Sequence, residues 1–391
     1  MHWTIPEPYT VPFVKPLRWS GWWRGFSLCV MTLLLVGCGG YFWLKDPRLL
    51  LYTFGCVVLL ILVFAGIAGW NMYRYGVEAE HAEDISNLNR LTTLKWQDWA
   101  QRSVAVLGFH AFFPSAVLSP LNSDGPVNGD KPLLLPSFTG FNALFHDLLL
   151  PLLPELQQLV AAGVPVEVSL PEGCDKDEWQ QFSGAWQTLG LPVSLLLPSL
   201  TVLNSYARQI NRWLASPSVA AQLVIIHHRD AQQATTEGAV IWLLAPKVGQ
   251  VSGLPVHCSL HRPMHTSPPA EPAAFRRFLG YQPLTTGMNG LWTDAVTREQ
   301  ADVLLIAHSQ RPQPDDSDTG MDEKNSATPA PLPEQHYLPH WLGKSGPYHD
   351  WFTVTLMMQM ALAKPGVQCA MIHDGDAVLL SSVSTGAFSN D

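Results

Sequence analysis

The chain has 391 residues, a formal net charge of -9, 47% hydrophobic residues and only 14% charged residues. Soluble globular proteins carry about 25% charged residues. The high apolar content excludes a disordered chain, and the acidic balance argues against a nucleic-acid-binding protein, whose domain would be basic. A membrane protein, or a water-soluble domain attached to a membrane segment, fits these figures.

Two stretches without charge lie near the N-terminus, Phe26 to Leu44 and Leu49 to Met72. As helices they would reach about 28 and 36 Å, which is enough to cross a hydrocarbon core of about 30 Å. The residues between them, 45 to 48, are polar and include the helix-breaking Pro47. We therefore predict a transmembrane hairpin within residues 1 to 75 and a water-soluble body after it.

A lipoprotein is the alternative interpretation of this region, because Leu35-Val-Gly-Cys38 resembles a bacterial lipobox. In a lipobox the cysteine is lipidated after signal cleavage. A lipoprotein, or a protein with a cleaved secretory signal, would not need the second span that follows at once. The hairpin is the preferred interpretation, and lipidation at Cys38 stays open.

The basic residues near the spans predict the orientation of the hairpin. Two lie in the turn and four lie outside the spans, at Lys15, Arg18, Arg24 and Arg74. Both ends of the hairpin are therefore predicted on the cytoplasmic side of a bacterial inner membrane, with the body in the cytoplasm. The body holds three scattered cysteines, which suit a reducing compartment; they are Cys174, Cys258 and Cys369.

The body is predicted to be α/β, with a linker helix at 76–101, a first domain at 102–216 and a second at 217–391. Strand-like and helix-like runs alternate through the first domain, and this alternation predicts a mostly parallel sheet covered by helices. The helical run at 141–162 should be divided by Pro151 and Pro154. Strands are predicted at 103–109, 164–170, 193–197, 222–228 and 238–244, and further helices at 175–188 and 204–215.

The second domain is less regular in sequence. Helices are predicted at 272–279, 297–307 and 348–363; within the second, residues 303–307 also have a strand-like pattern, so a strand there is the alternative. Residues 311–335 are rich in Pro, Asp and Ser, which predicts a disordered loop. Asp374-Gly375 lies between two apolar runs and indicates a β-hairpin. The sequence of the body shows no internal repeat.

Searches for known catalytic motifs fail. No Gly-x-Ser-x-Gly is present. Gly343-Lys344-Ser345 lacks the earlier glycine of a phosphate-binding loop and is interpreted as a glycine turn that opens the last helix. His228-Arg-Asp230 shares three letters with a kinase catalytic loop, without the other kinase motifs.

Histidines supply the remaining candidates. His227 and His228 end a predicted strand, where α/β proteins often place ligand sites, although histidines at strand ends are common. His373 lies beside two acidic residues, but a hairpin turn explains those acids without a function. A second group could bind zinc if its loop folded round the metal, or could be a polar surface loop; it comprises His257, Cys258, His261 and His265. Because each of these groups also has a non-functional interpretation, no catalytic, cofactor-binding or metal-binding residue is predicted.

The layout resembles one known family. A tryptophan-rich N-terminus precedes a two-span hairpin, and an acidic two-part α/β body closes with residues 341–351, WLGKSGPYHDW. This arrangement resembles the type VI lipase adaptor proteins of Gram-negative bacteria. The resemblance implies a non-enzymatic helper that loads a toxic phospholipase effector onto the type VI secretion spike. It implies no catalytic residues and no cofactor.

The failed motif searches lead to the same prediction, a membrane-tethered adaptor that binds a protein partner and uses no cofactor. Residues 75 to 391 have a formal balance of -13, which argues against binding to nucleic acid or to an anionic membrane surface. The alternative is a membrane-anchored hydrolase or transferase that uses His227, His228 or the His257–His265 loop. A structural subunit of an envelope machine is a third possibility.

Overall fold

The computed structural model describes residues 3–17, 19–114, 117, 131–136, 140–171, 176–199, 203, 205–229, 232–246, 253–266, 272–294, 296–310 and 332–385. The chain forms two compact units. Ile5–Lys95 make up the hairpin unit, and Met1–Thr4 together with Trp96–Asp391 make up the unit called the body below.

The hairpin unit contains two helices, α1 (Trp19–Leu44) and α2 (Arg48–Gln101), of which α2 continues into the body. Both are long and apolar enough to cross a membrane, as predicted. The two helices contact each other at Gly37 and Thr53, and the rings of Phe26 and Phe64 lie 4.4 Å apart. The linker helix predicted at 76–101 is the C-terminal part of α2, because no Gly or Pro interrupts the chain after Gly76.

The body contains eight further α-helices among its described residues. Their bounds are α3 Phe141–Leu149, α4 Leu153–Ala161, α5 Lys176–Thr188, α6 Tyr206–Ala215, α7 Pro272–Tyr281, α8 Arg298–Ser309, α9 Leu338–Leu342 and α10 His349–Ala363. A 3-10 turn at Leu150–Leu152 separates α3 from α4, which confirms that the prolines divide the predicted helix.

The strands form one sheet with the order β3-β2-β4-β5-β1-β6-β11-β10-β8-β9, and β7 pairs with β11. The sheet continues across the domain boundary predicted at residue 216, because β2, which precedes this residue, pairs with β4, which follows it. The bounds are β1 Ser103–Phe112, β2 Val166–Ser169, β3 Leu196–Pro198, β4 Ala221–His228, β5 Gly238–Leu244, β6 Cys258–His261, β7 Met264–Thr266, β8 Met288–Thr293, β9 Glu334–Tyr337, β10 Val367–Asp374 and β11 Ala377–Thr385.

The body is α/β as predicted, but its sheet is mixed, so the prediction of a mostly parallel sheet is wrong. β3, β2 and β4 are parallel, as are β9, β8 and β10. The five strand pairs from β4 to β10 through the middle of the sheet are antiparallel. The reason is local: β4–β5 and β10–β11 are hairpin connections, which reverse the chain without a crossover helix.

The body is built from two halves with the same topology. β1 to β5 and the group β6, β8, β9, β10 and β11 each place three parallel strands at an edge, followed by two antiparallel strands. The halves meet where β1 pairs antiparallel with β6. This repeat is not visible in the sequence, because topology depends on the order and type of elements and not on identical residues.

The central helices of the two halves, α6 and α10, share one apolar core on what we call the inner face of the sheet. That core contains Tyr206 and Ile210 of α6, Trp351 of α10, and alternate residues of β4. On the outer face, α3, α4 and α5 cover the first half through the other set of β4 residues, which includes Leu223 and Ile225. Side chains alternate between the faces of a strand, so each β4 residue is assigned to one core.

Three predictions in the second half have different outcomes. Residues 303–307 lie inside α8, so a strand there is wrong; the run is buried on one side of a helix. The turn at Asp374-Gly375 is confirmed, with Gly375 at φ 65° between β10 and β11. Of the predicted loop at 311–335, residues 311–331 lie outside the described residues, and β9 begins at Glu334.

The buried His261 predicts a pH-dependent stability. Its Nδ1 lies 3.1 Å from the Gln101 carbonyl and its Nε2 lies 2.8 Å from Ser384 Oγ. Burial lowers the pKa of His261 to about 4. Below pH 6.5 the unfolded state therefore takes up the proton first, and stability is lost as the pH falls towards 4.

Replacing His261 with Gln should remove this loss. Relative to the variant, the full-length protein in detergent should lose about 2 kcal/mol of stability between pH 7 and pH 5. Thermal unfolding followed by tryptophan fluorescence would measure it. The control is His340→Gln, which changes an exposed histidine. Equal pH dependence in all three proteins would contradict the prediction.

Candidate active site

The candidate site lies where the carboxyl ends of β4 and β10 meet the N-terminus of α10. On the inner face, β4 ends with His228 and β10 ends with Asp374, at equivalent places in the two halves. The first turn of α10 lies between them: the rings of Tyr348 and His228 are 6.3 Å apart, and Asp374 acts electrostatically on Asp350. The carboxyl ends of parallel strands are the usual place for ligand sites in α/β proteins.

Asp350 lies at the second position of α10 and joins the N-termini of both central helices. Its Oδ2 accepts a hydrogen bond of 3.1 Å from the backbone N–H of Tyr206, the first residue of α6. Its Oδ1 accepts one of 2.9 Å from the N–H of Trp351 in its own helix. The first N–H groups of a helix have no partner within it, and they favour a negative charge.

Burial makes the charge on Asp350 costly in spite of these two donors. Desolvation raises the pKa of Asp350 to about 7, and the charge of Asp374 adds to the increase, while the N–H groups of Tyr206 and Trp351 oppose it. Among the described residues, no Lys or Arg forms an ion pair with this carboxylate. Asp350 is therefore a carboxyl group that gains or loses its proton near neutral pH.

His349 lies next to Asp350 and is neutral at pH 7. Burial lowers its pKa, against the opposing charges of Asp294 and Asp374, and His373 lowers it further. Its Nε2 is buried and has no hydrogen-bond partner within the described part of the chain. A buried polar atom without a partner is rare in a folded protein and needs an explanation, such as a bound group or a catalytic role.

His265 and Asp374 form a close pair at the edge of the site. Nε2 of His265, on β7, lies 2.9 Å from Oδ2 of Asp374. The side chain of His265 is 14% exposed and that of Asp374 is 47% exposed, so the pair lies at the surface end of the site. A carboxylate in this position fixes the orientation of an imidazole and favours its protonated form. We call Asp350, His349, Asp374 and His265 the carboxylate–imidazole cluster.

Asp294 has a structural role beside the cluster. Its Oδ1 accepts hydrogen bonds from the N–H of Val296 and from the N–H and hydroxyl of Thr297, at the start of α8. Its Oδ2 accepts one from the N–H of His373. Asp294 therefore starts α8 and ties the end of β8 to β10.

The two neighbouring histidines of β4 point to opposite faces, so they do not form one site. His228 is on the inner face, with Nε2 2.9 Å from the Thr235 hydroxyl, at the margin of the cluster. His227 is on the outer face between Phe141 and Phe145, with Nε2 3.7 Å from a Glu178 oxygen. Burial lowers the pKa of His227, while Glu178 opposes the change.

The residues that were considered as a zinc alternative are also separated. Cys258 points into the inner core, where its thiol lies 3.8 Å from the Met358 carbonyl, and burial raises its pKa to about 12. His261 is buried on the other side of β6, and His265 belongs to the cluster. Within the described ranges, no three His, Cys, Asp or Glu side chains are placed to hold a metal ion.

The sequence pointed to parts of this site but not to its centre. His228, His265 and Asp374 were singled out separately, and the fold brings them to one edge of the sheet. Asp350 was missed. The available signal was its position as the only charged residue in α10, a helix whose other residues are almost all apolar.

No family model and no curated protein matches the chain. Among solved structures it is similar to AbyA1, a tetronic acid condensing enzyme, with 14% identity, a TM-score of 0.39, and coverage of 73% of this chain and 100% of that one. ChlB3, an acyltransferase, has 11% identity, a TM-score of 0.41 and coverages of 73% and 98%. PksG, an HMG-CoA synthase from Bacillus subtilis, has 12% identity, a TM-score of 0.35 and coverages of 73% and 80%.

These three neighbours are enzymes, and this finding contradicts the prediction of a non-enzymatic adaptor that loads an effector. With identities below 15% and TM-scores near 0.4, the likeness assigns no residue and no substrate to this chain. The resemblance to the type VI lipase adaptor family and the predicted protein partner stay predictions.

The raised pKa of Asp350 predicts a pH effect on stability opposite to that of His261. Because the pKa of Asp350 is higher in the folded state, about 7 against 3.8, the folded state holds the proton more tightly. Stability from this group is therefore lost as the pH rises from about 4 to 7. Relative to Asp350→Asn, the wild type should be more stable at pH 5 than at pH 8 by about 2 kcal/mol.

Thermal unfolding of the full-length protein at both pH values would measure this difference. Asp376→Asn is the matched control, since Asp376 is an exposed acid in the β10–β11 turn. If the stability difference between the wild type and Asp350→Asn is the same at pH 5 and at pH 8, the pKa of Asp350 is not raised by folding and the prediction is wrong.

Proposed function

We propose that the protein is a membrane-anchored hydrolase or transferase in which Asp350 acts as the general base. One observation carries the proposal: a partly buried carboxylate held by N–H groups at the start of two helices, next in sequence to His349, whose buried Nε2 has no hydrogen-bond partner among the described residues. A general base works best when its pKa lies near the working pH. The pKa of Asp350, about 7, meets that condition.

The chemistry that fits this cluster is removal of a proton from water or from an acceptor hydroxyl. In its ionised form, Asp350 takes the proton as the water or hydroxyl attacks the substrate. The protonated form of His265, favoured by Asp374 at 2.9 Å, can return a proton to the leaving group. Loss of a proton from Asp350 to solvent and gain of one by His265 then restore the starting state.

Direct attack on the substrate by water or by the acceptor hydroxyl fits better than a mechanism with a covalent intermediate on a side chain of the protein. Two hydroxyls of the inner core are already engaged: Ser381 Oγ is fully buried and lies 3.0 Å from Tyr206 Oη. Burial raises the pKa of Tyr206, so its phenol stays neutral. Both groups are engaged with each other inside the core, where a substrate would not reach them.

The anchor places this chemistry at a membrane. We infer that α1 and α2 cross a bacterial inner membrane and that the body lies in the cytoplasm. The greater number of basic residues outside the spans supports this orientation. Met1–Thr4 and Trp96–Asp391, which flank the hairpin unit in sequence, belong to the same compact unit.

Kinetics of the Asp350→Asn variant test the proposal. The full-length protein in detergent would be assayed with p-nitrophenyl carboxylic esters and p-nitrophenyl phosphate mono- and diesters, with and without an added alcohol as acceptor. Asp350→Asn should lower kcat about 10²-fold to 10⁴-fold, the range usual for a general base. In the wild type, kcat should fall as the pH drops below about 7, because the base becomes protonated.

The control is Asp376→Asn, which should keep wild-type kcat and its pH profile. Turnover that is the same in Asp350→Asn and the wild type would contradict the assignment of Asp350. A pH profile without an inflection between pH 6 and pH 8 would contradict the role of its ionised form.

A further inference from the structure

Trp3, close to the N-terminus, is buried in the body between aromatic side chains that we call the aromatic socket. Its side chain is 3% exposed. Its ring lies 5.6 Å from that of Trp99 and 5.9 Å from that of Phe278. The indole N–H donates a hydrogen bond of 3.1 Å to the carbonyl of Pro263. A buried tryptophan stabilises a contact through its large apolar area, and the hydrogen bond of its indole N–H fixes the orientation of the ring.

The accepting residue, Pro263, lies in a short segment that is fixed on its other side by Arg262. The Arg262 guanidinium lies 4.1 Å above the Trp99 ring, and its Nε donates a hydrogen bond of 3.1 Å to the Trp99 carbonyl. Its Nη1 donates one of 2.9 Å to Asn211 on α6. The Arg262 carbonyl accepts one of 2.8 Å from Gln282. Arg262 thus connects the socket to a central helix.

The same segment leads directly into the proposed active site. Met264, the residue after Pro263, begins β7, and His265 is the next residue. β7 is only three residues long and pairs on one side with β11, where Leu379 lies opposite His265. Such a short strand has few hydrogen bonds of its own, so contacts at its start decide how firmly His265 is held against Asp374.

We propose that Trp3 is a positioning residue for His265, so that docking of the N-terminal tail completes the active site. The role as a catalytic aid rests on the proposed function, but the mechanical link stands on the hydrogen bond from Trp3 to Pro263 and on the position of His265 two residues later in the chain. Trp3 itself belongs to the body, and the chain after it continues to α1. The site is then fully ordered only in a chain whose tail is docked.

Chemical modification of His265 tests the link without an activity assay. Full-length protein in detergent would be treated with diethyl pyrocarbonate, and the modification rate of each histidine would be read by peptide mass spectrometry. In Trp3→Ala, His265 should react about tenfold faster, because the strand that carries it opens more often. Trp3→Phe keeps a ring in the socket and loses the N–H, so it should give an intermediate rate.

Two internal comparisons keep the result specific. Trp43→Ala removes an 89% exposed tryptophan and should leave every rate unchanged. His261, buried on β6, should stay unreactive in Trp3→Ala. An unchanged His265 rate in Trp3→Ala would overturn the proposal. Equal acceleration of His261 and His265 would also overturn it, since it would show that Trp3 supports the whole sheet.

The kinetic variants separate this inference from the proposed function. If Trp3→Ala accelerates modification of His265 while Asp350→Asn retains full turnover, the positioning contact stands and the assignment of Asp350 fails. If Asp350→Asn is inactive while Trp3→Ala leaves His265 unreactive, the proposed function stands and the role of Trp3 fails.

Discussion

The carboxylate of Asp350, shared by the N-termini of two helices, is the contact on which the organisation of the body depends. It links the first N–H of α6, in one half, to the first turn of α10, in the other. Each helix end needs an acceptor, and one side chain supplies both. The same position removes the carboxylate from water, which raises its pKa to about 7. A structural need of the two halves therefore produces a group suited to proton transfer.

Around this contact the histidines are sorted by strand geometry. Alternation along β4 sends His227 to the outer face and His228 to the inner face. Hairpin pairing of β10 with β11, and long-range antiparallel pairing of β7 with β11, bring Asp374 and His265 together from positions 109 residues apart. Strand pairing therefore brings together residues that are distant in the chain. Alternation along one strand separates residues that are adjacent in the chain.

Most helices and the strands of the first half were predictable from the sequence, while β6, β7, β8 and β9 and the arrangement of the sheet were not. Apolar length predicted the two spans, Pro151 and Pro154 predicted the division between α3 and α4, and Asp374-Gly375 predicted the last hairpin. These signals are local. Strand direction depends on which strands pair, and alternating elements alone favoured a parallel sheet. Asp350 was hidden for the same reason, because its burial and its bond to Tyr206 depend on a contact between residues 144 positions apart.

The antiparallel pairing of β1 with β6 has a consequence for the independence of the halves. The pair joins Ser103 to His261 and Val106 to Cys258 at the middle of the sheet. A chain ending after β5 would leave β1 as an unpaired edge strand with buried apolar residues, which is a template for association. Since antiparallel pairing of two equivalent strands has two-fold symmetry, such a half has a natural partner in a second copy of itself. In the intact protein, the second half of the same chain occupies the place that a second copy would take.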